Sequence, residues 1–553
     1  MNPVAARSGR TEPDVVAVSA VTTLFVIAFA ALAIRVGWLV WHGLGEIPWD
    51  GAEYATLAQN LASGHGYLGL RRATLFVFPP FYSLTIAALL PLTGDAVRAG
   101  VAVSLLSGAA LVFPLYGIAS IVYGRRAGYA AAVLAAVLPF AVQLSTAVLA
   151  DMLFLTLAAT GTYFLLRTVE ARRYADAVAV GVAFGLAYLT RPEGLLFEVL
   201  AVGVVLALAF SRSVKPRRVA LLVLVTALPF AALAAPYVAF LSAHAGHLRV
   251  EGKSLLNLDI GLRMDRGLSY AVAADAIDDH LNVIGPELQG DYYFEPAGRK
   301  APSLSTILAF GLKNTVRHVP EIAHVAASRL CGTLVLLGLA LFGFVAGPWN
   351  RRRVCNQAIL VAYGVVITVA LASVFHFWER YFVGYVPLLV VWAANGIAVI
   401  ARALTRSASV RRARNVPVAV TALFLIALLF STKAGFTDDA GSSISERQAG
   451  TWLAQHGGRG AHILSISDQA VYYAGGVWSM LPWAPNDDAA LRYVRKLRPD
   501  FIVLDRGYAS ERPYVIAWMR SGIPNSGARV LYTVAEGGAP AVEVLRWDDA
   551  RTK

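Results

Sequence analysis

Asp50 and Glu53 stand three residues apart in Gly45-Glu46-Ile47-Pro48-Trp49-Asp50-Gly51-Ala52-Glu53-Tyr54. On a short helix such a pair projects from one face. A carboxylate within reach of a hydroxyl can take its proton, so this stretch is where chemistry would begin. The competing role is structural, with Asp50 capping a helix start and Glu53 solvating it. Further charges stand at the ends of apolar runs: Asp151 in Val148-Leu149-Ala150-Asp151, Arg191 and Glu193 around Pro192, and Arg380 beside Tyr381 in His376-Phe377-Trp378-Glu379-Arg380-Tyr381. Guanidinium groups suit bidentate phosphate recognition. Each has a bland alternative: an N-cap for Asp151, a local ion pair for Arg191 and Glu193, snorkelling for Arg380. That all of them gather on one membrane face by accident is a weaker explanation than any single one.

The elements that must carry these residues are membrane helices. The chain has 553 residues, 57% hydrophobic and 15% charged, with mean hydropathy +0.59. A soluble chain of this length carries far more charge. The net charge of +13 falls in short Arg and Lys clusters between apolar runs, which points to topology and not to nucleic acid. Cys331 and Cys355 lie in or beside predicted spans, so no disulfide framework is expected. The first apolar run, preceded by Arg7 and Arg10, is too long for a signal h-region and reads as an uncleaved span.

A crossing helix needs about 20 apolar residues. The spans are therefore 15–40, 97–122, 127–148, 152–169, 176–190, 194–210, 219–241, 325–346, 355–375, 382–401 and 416–431, about eleven in all. The stretch 79–92 is apolar but short, opens with Pro79-Pro80, and reads as a re-entrant or interfacial helix. Leaving it out puts Arg7/Arg10, Arg125/Arg126, Arg172/Arg173, Lys215/Arg217/Arg218, Arg351–Arg353 and Arg402 to Arg414 on one side. The N-terminus is then inside and the C-terminus outside.

Three segments face outward. The first outer loop, 41–95, holds Asp50, Glu53, His65, Arg71 and Arg72. The second, 242–323, holds Asp259, Asp265, Asp275, Asp278, Asp279 and His280. The third is the tail 432–553, where apolar runs (461–466, 501–504, 530–534, 542–545) alternate with helical patterns (444–455, 487–497, 512–519). That alternation predicts a small soluble α/β domain after a membrane domain of residues 1–431. The tail has neither a Gly-rich phosphate loop nor Cys/His metal spacing. Trp478, Trp483, Tyr472 and Tyr473 offer faces for stacking on sugars, or simply pack the domain.

The order of these features resembles the GT-C superfamily of integral-membrane glycosyltransferases, in particular the branch of the lipid A aminoarabinose transferase and the protein O-mannosyltransferase-like enzymes. The matching text is Asp50-Gly51-Ala52-Glu53-Tyr54, Leu61-Ala62-Ser63-Gly64-His65-Gly66-Tyr67, Phe78-Pro79-Pro80-Phe81-Tyr82, Tyr123-Gly124-Arg125-Arg126, Leu149-Ala150-Asp151, Leu189-Thr190-Arg191-Pro192-Glu193 and Glu379-Arg380-Tyr381. The resemblance implies a GT-C fold and an inverting transfer of a hexosyl or pentosyl group from a polyprenyl-phosphate-linked donor to an acceptor hydroxyl on a lipid, glycan or protein. It implies Asp50 as the catalytic residue. Glu53, Tyr54, Arg71, Arg72, Asp151, Arg191, Glu193, Arg380 and Tyr381 become the substrate-binding set, with Arg191 and Arg380 on the donor phosphate. The donor's tail would lie in a groove opened by small residues such as Ala130–Ala136. No nucleotide is expected, and a divalent metal stays open because some GT-C enzymes use one. Relatives often carry Lys or His before the Pro pair, where this chain has Phe78, so Arg71 or Arg72 must substitute or the donor is gripped differently. The setting implied is a bacterial inner membrane, N-terminus cytoplasmic and C-terminal domain extracytoplasmic.

A secondary transporter or lipid flippase also keeps charges within its spans. Its charges belong near the midplane, whereas these gather at span ends, and no internal repeat of spans is visible. A non-catalytic envelope scaffold would tolerate loss of Asp50.

Overall fold

The computed structural model describes residues 13–44, 47–210, 214–283, 302–328, 333–372, 379–407, 443–509 and 512–548, with a few positions between 418 and 426. Most of the expected span 416–431, the residues His376-Phe377-Trp378 and the boundary at 431/432 lie outside these.

Proline and short breaks cut the apolar runs more finely than hydropathy predicts. The run 97–122 is two helices, α4 (Ala96–Ala110) and α5 (Val112–Tyr123). The run 127–148 is α6 (Arg125–Val137) and α7 (Pro139–Leu144), divided at Leu138, which takes the extended conformation that a following proline favours. Ahead of them come α1 (Pro13–His42), α2 (Trp49–Ala62) and α3 (Phe81–Thr93). After them come α8 (Asp151–Ala171), α9 (Tyr174–Tyr188), α10 (Gly194–Ala207) and α11 (Pro216–Ala245). The second polar loop forms α12 (Ser254–Asp265), α13 (Tyr270–Asp275) and the amphipathic α14 (Leu304–Ser328). Then come α15 (Thr333–Val345), α16 (Arg351–Ala372), a 3₁₀ segment Glu379–Tyr385 and α17 (Val386–Ser407).

Among the described residues six helical segments are long and apolar enough to cross a bilayer, and four shorter apolar helices accompany them. The protein is thus a polytopic helical membrane protein; six of its described segments qualify as spans by length and apolarity, which does not confirm a count of about eleven. The alanines of α6 do not open a groove. Ala131, Ala132 and Ala135 are buried in one core with residues of α5 and α17, so their small size serves close helix packing.

One cation lies inside that packing. Arg35 of α1 has 0% exposure, and its guanidinium donates to the carbonyls of Ala135 at 3.1 Å and Ala136 at 3.0 Å and to Ser145 Oγ at 3.1 Å. The last carbonyls of a helix lack intrahelical donors, and α6 ends at Val137. Arg35 therefore satisfies the break that Pro139 creates.

The C-terminal part is α/β, as its pattern predicts. Strands β1 (His462–Ser465), β2 (Val477–Met480), β3 (Phe501–Asp505), β4 (Arg529–Glu536) and β5 (Ala539–Arg546) form one sheet in the order β2-β1-β3-β5-β4. β1 pairs in parallel with β2 and β3, while β5 runs antiparallel to β3 and β4. β2 escapes the sequence reading because Val477-Trp478-Ser479-Met480 is short and interrupted by a polar residue. This domain grips both polar loops. Trp478 N–H donates to the Leu70 carbonyl at 3.0 Å, Arg512 forms a buried ion pair with Asp275, and Lys496 Nζ donates to the His280 carbonyl at 2.9 Å.

Candidate active site

Three chain breaks deliver the charged residues to one place. α8 opens with Asp151. The turn between α9 and α10 carries Arg191 and Glu193, and is closed by bonds from Arg191 N–H to the Ala187 carbonyl and from Gly194 N–H to the Arg191 carbonyl. The 3₁₀ segment carries Arg380 and Tyr381. α2 faces them with Asp50 in its first turn. Pro48 occupies the N-cap position without a side-chain bond. Asp50 is not the cap; its carboxylate accepts from Arg380 instead.

Asp50, Tyr54, Asp151, Arg191, Glu193, Arg380 and Tyr381 line one cleft of ≈ 270 Å³. Arg191 forks onto Glu193, with Nη2 at 2.9 Å from Oε1 and Nε at 3.4 Å from Oε2, and reaches Asp151 at 2.8 Å through Nη1. The Tyr381 ring lies 5.7 Å from the Arg191 guanidinium and 5.5 Å from that of Arg380. Tyr54 packs against Phe78 and Tyr82 at ring separations of 4.6 and 5.0 Å.

Glu53, Arg71 and Arg72 are placed elsewhere. Three residues along a helix turn the side chain by about 300°, and α2 sits where that rotation matters. Its Asp50 side meets the cleft, while the Glu53 carboxylate accepts from Leu70 N–H at 2.9 Å. A Cβ on Gly69 would fall 2.6 Å from Glu53 Oε2, so only glycine permits that approach. Arg71 stacks over the Trp478 ring at 4.3 Å, which removes this face from any sugar. Arg72 takes a left-handed conformation, φ +55. Of the three, Arg71 meets the C-terminal domain through Trp478, while Glu53 ties α2 to the rest of the first loop. Four of the five aspartates singled out in the second loop are engaged within the structure and do not line the cleft. Asp259 pairs with Arg263, Asp265 with Lys313 and Asp275 with Arg512, while Asp278 accepts from His280 N–H.

The sequence reading missed the part of that loop that does line the cleft: Glu251, Lys253, Ser254 and Asn257. Glu251 accepts from Lys253 N–H and Ser254 N–H, both at 2.7 Å, and so caps α12. Lys253 Nζ stands 5.3 Å over the Phe78 ring. A cation is thus present at Phe78 after all, supplied from 175 residues along the chain. A lone Lys just before a helix start, in a loop read for its aspartates, was the available signal.

Charge is distributed unevenly. Burial works to raise the Asp50 carboxyl, but Arg380, Lys253 and Arg191 outweigh it and hold the group below its ordinary range. Glu193 follows the same balance, with Arg191 prevailing over burial. Glu53 moves the other way, because burial exceeds what Leu70 N–H and Arg71 return. Two neighbouring carboxyls are thereby driven apart, the pattern of groups with separate tasks. Among the described residues no three His, Cys, Asp or Glu side chains are grouped to hold a metal ion.

A family model described as dolichyl-phosphate-mannose-protein mannosyltransferase matches residues 78–237. No curated protein matches the chain in sequence. Among solved structures, ArnT from Cupriavidus metallidurans in the apo state aligns with TM-score 0.54 and 14% identity, over 95% of this chain and 98% of that one. The same protein bound to undecaprenyl phosphate aligns with TM-score 0.52 and 14% identity, over 95% and 98%. The oligosaccharyltransferase AglB from Archaeoglobus fulgidus, in complex with an inhibitory peptide and a dolichol-phosphate, aligns with TM-score 0.57 and 13% identity, over 96% and 74%. The resemblance read from the motifs therefore holds at the level of fold, over nearly the whole chain.

Proposed function

We propose that this chain, which has the fold of the GT-C membrane glycosyltransferases, transfers a sugar from a polyprenyl-phosphate-linked donor to an acceptor hydroxyl at the outer face of the membrane. The observation that carries the reading is the cleft itself, which joins the Asp50 carboxylate, held ionised, to Arg380 and Arg191 at the ends of apolar helices and to Lys253 of the second outer loop. Two of those cations are already engaged by carboxylates, Arg191 by Asp151 and Glu193, and Arg380 by Asp50. Lys253 is met by an aromatic ring, so the donor phosphate lands first on its ammonium. The phosphate then competes with Asp50 for Arg380. As that contact loosens, the Asp50 carboxylate gains basicity and takes the proton of the acceptor hydroxyl. The hydroxyl oxygen forms its bond to the anomeric carbon while the bond from that carbon to the phosphate oxygen breaks. The polyprenyl phosphate leaves with the electron pair, stabilised by the same cations. In-line attack inverts the anomeric configuration.

That ArnT has been solved with undecaprenyl phosphate and AglB with a dolichol-phosphate supports the donor class. The basic clusters support a cytoplasmic N-terminus and an extracytoplasmic C-terminal domain, with the membrane domain at 1–431 and the α/β domain at 432–553. Purified protein incubated with a panel of polyprenyl-phosphate sugars, with and without EDTA, tests the proposal. One donor is consumed by the parent, and Asp50→Asn falls by roughly 10²–10⁴-fold while staying folded. A panel in which no donor is consumed, or an Asp50→Asn that turns over like the parent, overturns it.

A further inference from the structure

What fixes the start of α2 is not in α2. A helix that opens on Ser, Thr, Asp or Asn sets its own first turn through the cap side chain. Here the N-cap is Pro48, with φ −64 and ψ 162 and no side-chain bond. The preceding main chain is held from far along the sequence. Gln469 Nε2 donates to the Ile47 carbonyl at 2.6 Å, and Ile47 N–H donates to Tyr473 Oη at 3.4 Å. Trp49 Nε1 donates to Tyr508 Oη at 3.2 Å, with the two rings 5.8 Å apart. Ile47 is fully buried and Gln469 is 3% exposed, so water does not compete for the Gln469 bond.

The place these groups occupy in the sheet is informative. Gln469 opens the helix after β1, and Tyr508 ends the turn after β3. β1 and β3 are parallel neighbours, yet the chain leaves β1 for β2 on its other side. In open α/β sheets the crevice beyond the carboxyl ends of such strands is where a ligand binds. In this molecule Ile47-Pro48-Trp49 sits there. We infer that the C-terminal domain is a clamp whose ligand is the segment preceding Asp50, and that Gln469 and Tyr508 are positioning residues for the transfer. The inference rests on the proposed reaction and adds to it a part for the α/β domain. Asp50 is the next residue after Trp49, so a shift of the clamped segment moves the carboxylate directly, and a displacement near 1 Å costs about 10²-fold in rate.

The test is steady-state kinetics of Gln469→Leu, Tyr508→Phe, Trp49→Phe and the double variant Trp49→Phe/Tyr508→Phe in the full-length protein, beside parent and Asp50→Asn. Tyr508→Phe removes a single oxygen, so it stays interpretable should Gln469→Leu unfold; thermal unfolding of each variant identifies that case. A clamp predicts kcat lowered about tenfold or more, with donor KM within roughly twofold of the parent. The double variant should be no slower than the slower single one, because both singles break the same bond. Parental kcat in Gln469→Leu and Tyr508→Phe, or fully additive losses in the double variant, overturns the clamp. Activity surviving in Asp50→Asn would instead sink the underlying reaction, so the two failures are distinct.

Discussion

At the residue scale the candidate site sets Asp50 against cations. The Arg380 guanidinium is the strongest of the influences that pull the Asp50 carboxyl down against burial. The sign of a pH effect follows. With Arg380 in place, Asp50 stays ionised to a pH below the ordinary carboxylate range, and the acid limb of kcat/KM lies there. Arg380→Gln leaves burial less opposed, so the limb moves to higher pH; a pH profile of kcat/KM for the variant checks this, and a limb at or below the parent's would refute it. Lys253 makes a different prediction. Lys253→Ala removes the first contact for the phosphate and should raise donor KM about tenfold or more, the scale of one hydrogen bond to a charged group. Donor titrations measure it directly. Asp50, Arg191 and Arg380 were legible because charge at the end of an apolar run is conspicuous. Lys253 was not, since no pattern in a polar loop shows that its side chain crosses to Phe78.

At the element scale the site depends on how closely α2 approaches the segment leading into α8. A Cβ on Gly51 would lie 2.7 Å from the Val148 carbonyl oxygen and 2.9 Å from Pro48. Backbone cannot yield as a flexible side chain would, so Gly51→Ala must push α2 away from Asp151. We expect a loss of stability of about 1–3 kcal/mol together with a fall in kcat, read by thermal unfolding and turnover on the same preparation. Parental values for both would show that α2 tolerates displacement. The helices themselves were largely legible from hydropathy. The division of α6 from α7 was not, because an apolar window passes over Pro139 without a change in score. The buried Arg35 that seals this break was likewise absorbed into the first span, its partners being carbonyls about 100 residues away. That Asp50 and Glu53 meet different partners was not legible for a related reason. Spacing gives the angle between two side chains but not what packs on each side.

At the scale of the whole molecule, the α/β domain carries acid groups at the edge that faces α2. Burial pushes the Asp505 carboxyl up to about 6, offset in part by Gly507 N–H and Glu446, and burial likewise raises the Asp468 carboxyl well above its ordinary range. A carboxyl raised in the folded state contributes stability that is complete below its unfolded pKa, near 4. That contribution is lost as pH rises through about 6. Asp505→Asn keeps an acceptor for Gly507 N–H without the charge. It should therefore gain on the order of 1–3 kcal/mol over the parent at pH 8 and little at pH 4. Unfolding transitions at the two pH values decide it; an equal gain at both would exclude a proton-linked cause. The existence of this domain was legible from the tail's alternation of short strands and helices. Its grip on the first loop was not, because contacts between residues more than 400 positions apart leave no periodicity.

That separation has a consequence for how the protein comes into being. Ile47 and Gln469 are 422 residues apart, and ribosomes add roughly 5–20 residues each second. The helix bearing Asp50 is therefore made roughly 20–80 s before its last supports exist. The nascent membrane domain passes that interval with the carboxylate's mooring unmade, and a truncated product stays in that state. On the proposed reading, transfer at the full rate awaits the final hundred residues folding back onto the first fifty.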